Sequence, residues 1–167
     1  MPTSSEPDPD SVNAQLAEFI CGRKEEIIRA WLGRVQADPV VPTAALTPNQ
    51  LRDHLPRLLD DLADTLRLQG NERVAEQTEE HAEKHGIERW QQGYDVVKLL
   101  REVMHLRGVF IYHLRVFEEL HPELGTAARL FAHSEVHRFL DEMDISGVER
   151  FLQLEKEARR GGAGLRL

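Results

Sequence analysis

Eight histidines supply most of the potential chemistry in this chain. His81 and His85 are four residues apart, as are His133 and His137. On a helix each pair faces one way, a spacing that can chelate a transition metal. Glu102 with His105, and Glu118 with His121, share the Glu-x-x-His spacing of di-iron bundles. Those bundles need it on two different inward-facing helices, with further carboxylates. Here both copies fall on one helical segment, and the second abuts Pro122. His81 and His85 sit among Glu79, Glu80 and Glu83 in the most polar stretch of the chain, where side chains are expected in solvent. His133 and His137 share their segment with Arg129 and Arg138. An all-helical chain with these histidines could be globin-like, with His81, His85 or His105 as an axial haem ligand, but no local pattern singles one out. The sequence therefore predicts no metal and no cofactor.

Nucleophilic catalysis has no motif to stand on: there is no G-x-S-x-G, no glycine-rich phosphate loop and no cysteine with a placed histidine. The chain is expected not to be an enzyme. Two charged residues within an apolar segment need separate explanations. Asp95, Lys98, Glu102 and His105 lie on a common helical strip that reads as a wet edge, with Lys98 and Glu102 as an i,i+4 pair. Arg107 lies two turns beyond Leu100 on the apolar side. A buried arginine is costly unless paired, so an acid from another helix should meet it, with Asp60, Asp61, Asp141 and Asp144 as candidates; otherwise it snorkels to an edge.

The elements that must position these groups read as helices. Leu16, Ile20, Ile27, Trp31 and Val35 share one face of a helix that starts at a Ser11 cap and ends near Asp38-Pro39. A loop is expected at 38–46. Thr47-Pro48 is a cap followed by proline at the first helical position. Leu51, Leu55, Leu58, Leu62 and Leu66 follow, with a kink or restart at Pro56. Residues 72–84 are very polar and predict an outer, mostly wet helix. Breaks are expected at His85-Gly86 and near Gly93. From Tyr94 to Phe117 apolar residues cover most of the circumference, which predicts a central helix. After His121-Pro122, a long last helix reaches about Ala158, with Val136, Leu140, Met143, Gly147, Phe151 and Leu154 as its seam. Phe139, Ile145, Val148 and Leu152 fall off that seam and form a candidate dimer surface. Packing within the monomer is the alternative for them.

A chain of 167 residues is long enough for one domain with a real core. The fold class is all-α: a single-domain bundle of five to six helices over residues 11–158, with disordered tails at 1–10 and 159–167. The formal net charge of −8 argues against nucleic acid. The basic residues Lys156, Arg159, Arg160 and Arg166 read as a solvated helix end. The single cysteine, Cys21, can form no intramolecular disulfide, and a buried inert thiol is expected. No apolar run is long enough to span a bilayer, and the acidic start is unlike a signal peptide. A cytoplasmic location is expected.

The run HGIERWQQGYDVVKLLREVMHLR at 85–107 resembles the N-terminal helical domain of the RsbT co-antagonist type, also found at the front of bacterial sensor histidine kinases. The matching features are His85-Gly86, Arg89, Gly93-Tyr94-Asp95, Leu99-Leu100-Arg101-Glu102 and Leu106-Arg107. Weaker agreement covers roughly residues 14–155. The resemblance implies a sensory or protein-interaction module without enzyme activity, often dimeric, preceding a PAS, kinase or STAS-type output domain. Its better-known relatives look like globins without haem. The sequence to Leu167 contains no such output domain, so either a domain ending at a boundary or a stand-alone form acting on a partner is expected. Arg89, Tyr94, Glu102 and Arg107 are then the candidate polar core. The expected partners are a second copy and a downstream kinase or regulator. A haem- or metal-binding sensor and a small-molecule binder with a cavity among Trp90, Tyr94 and Met104 are the alternatives.

Overall fold

In the computed structural model of the protein, residues 8–41, 46–52 and 54–163 are described. The helices are α1 (Pro9–Gly22), α2 (Lys24–Ala37), α3 (Pro48–Arg52), α4 (Leu55–Arg67), α5 (Glu72–Gln91), α6 (Val96–Leu120) and α7 (Thr126–Ala163). No strand occurs among the described residues. The fold is all-α with a long C-terminal helix, α3 being a single short segment of 5 residues. No helix among the described residues is long and apolar enough to cross a membrane.

The polar punctuation of the sequence works as local chemistry requires. Thr47 and Gln50 form a reciprocal cap at the start of α3: the Gln50 amide donates to Thr47 Oγ1 at 3.2 Å and the Thr47 amide to Gln50 Oε1 at 2.8 Å. Asp38, restrained by the following proline, is extended and ends α2. Pro56 sits in the first turn of α4, where its missing N–H costs nothing. Asn71 caps α5, and Asp95 caps α6 after a turn in which Gly93 takes φ +78°.

Several expectations are corrected. The first helix is two helices, because the chain bends at Arg23, directly after Gly22; both apolar stripes are still buried. The first helix also begins at Pro9, before the Ser11 cap. The last continues to Ala163, past Ala158, where Gln153 donates to Glu157 and Arg159 pairs with Glu155 across single turns. Residues 1–7 and 164–167 of the expected tails, and 42–45 of the expected loop, lie outside the described residues. Finally, α5 runs unbroken through His85-Gly86. Gly86 is there for closeness: a Cβ on it would overlap the Gly147 carbonyl oxygen, and a Cβ on Gly147 would lie 3.2 Å from the Ala82 oxygen. This crossing anchors the most extensive helix pair, α5 on α7. Thr78, Ala82 and His85 are buried on α5, along what reads in sequence as a mostly wet stretch.

The core is lined by Trp31, Phe110, Phe117, Phe139 and Phe151, all nearly inaccessible. The α7 seam is buried from Val136 to Phe151, and Leu154 is half-buried. α6 packs on α2 and α7 and is not enclosed. Its outer face leaves Val97, Leu100, Met104, Ile111 and Tyr112 between 42% and 57% exposed. Its surplus of apolar residues is therefore a bare surface, not a second buried face.

Candidate functional site, a buried polar cluster

Arg89 on α5 and Glu102 on α6 are 0% and 1% exposed. Arg89 Nε donates to Glu102 Oε2 at 2.8 Å, and the Tyr94 hydroxyl donates to Glu102 Oε1 at 2.7 Å. The rest of the guanidinium is also used: Nη1 donates to Gln92 Oε1 at 2.7 Å and to the Gln50 carbonyl at 3.2 Å, and Nη2 to the Leu51 carbonyl at 3.2 Å. One side chain thus joins α5 and α6 and also binds the last carbonyls of α3, groups a helix end leaves unpaired. Trp31 completes the shell by donating from Nε1 to the Glu102 backbone carbonyl at 3.1 Å. Burial pushes the Glu102 carboxyl up, and the Arg89 charge and the Tyr94 hydroxyl oppose it. Both carboxyl oxygens accept a hydrogen bond, the pattern of a carboxylate. Burial and the neighbouring Glu102 push Tyr94 up, which keeps its hydroxyl a donor.

Two histidines flank the pair. His54, between α3 and α4, stacks on His85 of α5 with ring centroids 3.7 Å apart. Neither Nδ1 has a hydrogen-bond partner, and His85 Nε2 is 3.8 Å from Glu102 Oε2. Burial drives both imidazoles well below their ordinary range, so they are neutral near pH 7. The voids beside them are each about 20 Å³, the size of a single water molecule.

Two further charge clusters lie nearer the surface. Arg101 Nη1 and His105 Nε2 reach Asp38 Oδ2 at 2.8 Å and 2.7 Å, tying the end of α2 to α6. His105, the Val40 amide and Arg101 together hold the Asp38 carboxyl well below the usual carboxylate range. Arg107 bridges α6 to α7 through Asp141 at 2.7 Å and Asp144 at 3.1 Å, with His137 Nδ1 at 3.2 Å. Burial pushes Asp144 up to about 6, against the pull of Arg107.

Among the sequence candidates, Arg89, Tyr94 and Glu102 come together, and Arg107 stands apart with two of the four acids proposed for it. Glu102 and His105 do not lie on a wet edge: Glu102 faces Arg89, His105 faces Asp38, and Lys98 pairs with Asp95 at 3.0 Å. His81 and His85 are not freely solvated either, since His81 Nδ1 meets Asp61 at 2.6 Å and His85 is buried. His133 is paired with Glu118 at 2.9 Å. Cys21 is only partly buried, with its Sγ 3.6 Å from Arg67 Nη2. Met104 is exposed on the outer face of α6, whereas Tyr94 is buried. Phe139 is corrected from the dimer surface to the core, at 2% exposure, and Val148 packs partly against the core. Ile145 and Leu152 remain exposed. The sequence reading missed His54, which carries no motif, and Gln92, whose role depends on the turn after α5. Among the described residues no group of three or more His, Cys, Asp or Glu side chains is placed to hold a metal ion.

No curated protein and no solved structure matches the chain. The model of one family does, over residues 25–166, a span that includes α2 to α7 and every residue of the buried cluster. That span takes in most of the 167 residues. The chain therefore belongs to the family of the RsbT co-antagonist protein RsbRD N-terminal domain, a stress-signalling regulatory domain.

Proposed function

We propose that this is a non-catalytic sensory and protein-interaction domain of bacterial signal transduction, serving a histidine kinase or stress-response regulator from the cytoplasm. It acts as a homodimer and passes its signal along α7. The observation that carries this is an inversion of the layout of an enzyme site. Arg89, Tyr94 and Glu102 are sealed inside and engaged in holding α3, α5 and α6 together, whereas several large apolar residues that could meet another protein are outside. Val97, Leu100, Met104, Ile111 and Tyr112 form one exposed face of α6. A patch of five such side chains is of the kind that marks interaction surfaces. Gly108 lies within this face, where Arg34 reaches across it. We place the dimer contact on this face, with Leu152 of α7 as a secondary member. α7 is 38 residues long, roughly 57 Å at 1.5 Å per residue, long enough to carry a rotation from one end of the domain to the other.

Sedimentation equilibrium at tens of micromolar tests the dimer. Wild type should sediment as a dimer and L100E/M104E as a folded monomer with unchanged helical circular dichroism. A monomeric wild type would remove the dimer from the proposal. The signalling route is tested by fusing the domain to a kinase output module and inserting one to four alanines after Glu155. Output should rise and fall with a period of about 3.6 residues, since each inserted residue rotates the attached module by about 100°; a flat response would show that α7 does not transmit.

A further inference from the structure

Gly86 and Gly147 bring α5 and α7 together at one point, and toward the start of α5 the two helices enclose a groove of about 630 Å³. The turn around Gly70 closes one end of it. Phe139 and Met143 lie buried beneath it, and Leu68 and Ile145 stand at its sides, 49% and 58% exposed. Its edge is acidic. Glu72, Glu76 and Glu79 succeed one another along α5 at i, i+4 and i+7, and Glu142 faces them from α7. The ion pairs that α5 makes among the described residues involve His81, Lys84, His85, Glu88 and Arg89, and none of these three glutamates. The only cation lining the groove, among the described residues, is Arg138, already held by Glu135 and Glu142. Like charges one turn apart on a helix repel, so the chain leaves a row of uncompensated carboxylates beside an uncovered apolar strip.

We propose that this groove docks a cationic amphipathic helix of a partner protein. The partner's apolar stripe would cover Leu68, Ile145 and the residues beneath them, and its flanking lysines or arginines would meet Glu72, Glu76 and Glu79. The lining spans Arg138 to Ser146 on α7, roughly 12 Å at 1.5 Å per residue, which matches two turns of helix. Helix-in-groove recognition uses anchors of that spacing. A small molecule fits less well, because pockets for small ligands close over most of the ligand surface and here both side walls stand open to water. The chain's own basic stretch does not fold back as the occupant: Lys156, Arg159 and Arg160 lie further along the same continuous helix α7 whose Arg138 to Ser146 segment lines the groove. The proposal adds a class of partner to the regulatory role and does not depend on the dimer face of α6.

The test is fluorescence anisotropy with a labelled leucine–lysine helical peptide of about 18 residues, titrated against the full chain. E72Q/E76Q/E79Q should weaken binding at least roughly tenfold and flatten its salt dependence. The control E119Q/E149Q/E157Q makes the same change in net charge away from the groove and should change affinity less than about twofold. I145S, with every charge intact, should weaken binding at least roughly fivefold. Equal weakening by the two triple variants would reduce the effect to general attraction by an acidic protein and overturn the proposal. An unchanged affinity for I145S would overturn it as well. Circular dichroism of each variant confirms that the fold is retained, which these exposed positions permit.

Discussion

Two arginine–carboxylate contacts on α6 use the same chemistry in different surroundings. Glu102 meets Arg89 where both are sealed from water, and Arg107 meets Asp141 and Asp144 where the Asp141 side chain is 61% exposed. In the first, every donor on the guanidinium that forms a bond here points at a protein acceptor, and removing one partner strands a charge. In the second, water can take the place of the Asp141 carboxylate, and Asp144, whose side chain is 18% exposed, keeps a second hold on Arg107. Geometry alone would rank them as equals, with distances of 2.8 Å and 2.7 Å. Burial decides which is structural. The buried contact joins three helices and fixes their relative positions. The exposed one adds little more than a preference for how α6 meets α7.

The largest expected effect breaks the buried contact. Glu102→Ala should cost about 3–5 kcal/mol in urea unfolding, because Arg89 stays behind unpaired, whereas the double variant R89M/E102L should recover most of that loss. A double variant no better than the single would mean that the packing of the cluster, and not its charge, carries the stability. Next comes Gly86→Ala. The added methyl overlaps the Gly147 carbonyl, so α5 must move off α7 at a cost of about 1–3 kcal/mol despite alanine's better helix propensity. If the melting temperature rises instead, α5 and α7 separate freely and the crossing anchors nothing.

The third prediction gives the two regions opposite signs in acid. His54 and His85 are held neutral in the fold, so the unfolded chain binds more protons below pH 6.5. Their contribution is present above that pH and is lost as pH falls, by at most about 1.4 kcal/mol per pH unit for each. Asp144, raised to about 6, works the other way: its contribution is present below the unfolded value of 3.8 and is lost as pH rises through 6. Urea unfolding at pH 7.5 and 5.5 should therefore show wild type weaker at the lower pH and His54→Leu less sensitive. An unchanged pH sensitivity in His54→Leu would mean that its ring is protonated in the fold. The smallest effect is Asp141→Asn, below about 1 kcal/mol by the same unfolding assay. A loss near that of Glu102→Ala would erase the distinction between the two contacts.

The parts of this arrangement that were legible in sequence are those set by neighbours along the chain. Thr47 with Gln50, Asp38 before Pro39 and the glycine turn at Gly93 each announce themselves within a few residues. The α7 seam is equally readable because its period is internal to one helix. The acids for Arg107 could be shortlisted, and two of the four named meet it. What could not be read depends on a second element. A glycine inside a helix reads as a break, and Gly86 becomes a contact only because Gly147 lies 61 positions later. Glu102 has Lys98 one turn away and looks satisfied locally. Its real partner, Arg89, comes from the previous helix, and Lys98 turns to Asp95 instead. The outer face of α6 misleads in the other direction, because hydrophobic surplus looks the same whether it will be buried in one chain or shared between two.

The chain has two tryptophans, and their surroundings give it a built-in reporter. The Trp31 indole N–H ends on the backbone oxygen of Glu102 and is shut away from solvent, whereas Trp90 is only partly covered. In a proton NMR spectrum the Trp31 indole signal should outlast that of Trp90 after transfer to heavy water, exchanging only when α2 lifts from α6. A single resonance would then time the opening of the buried cluster in the unmodified protein, with no label attached.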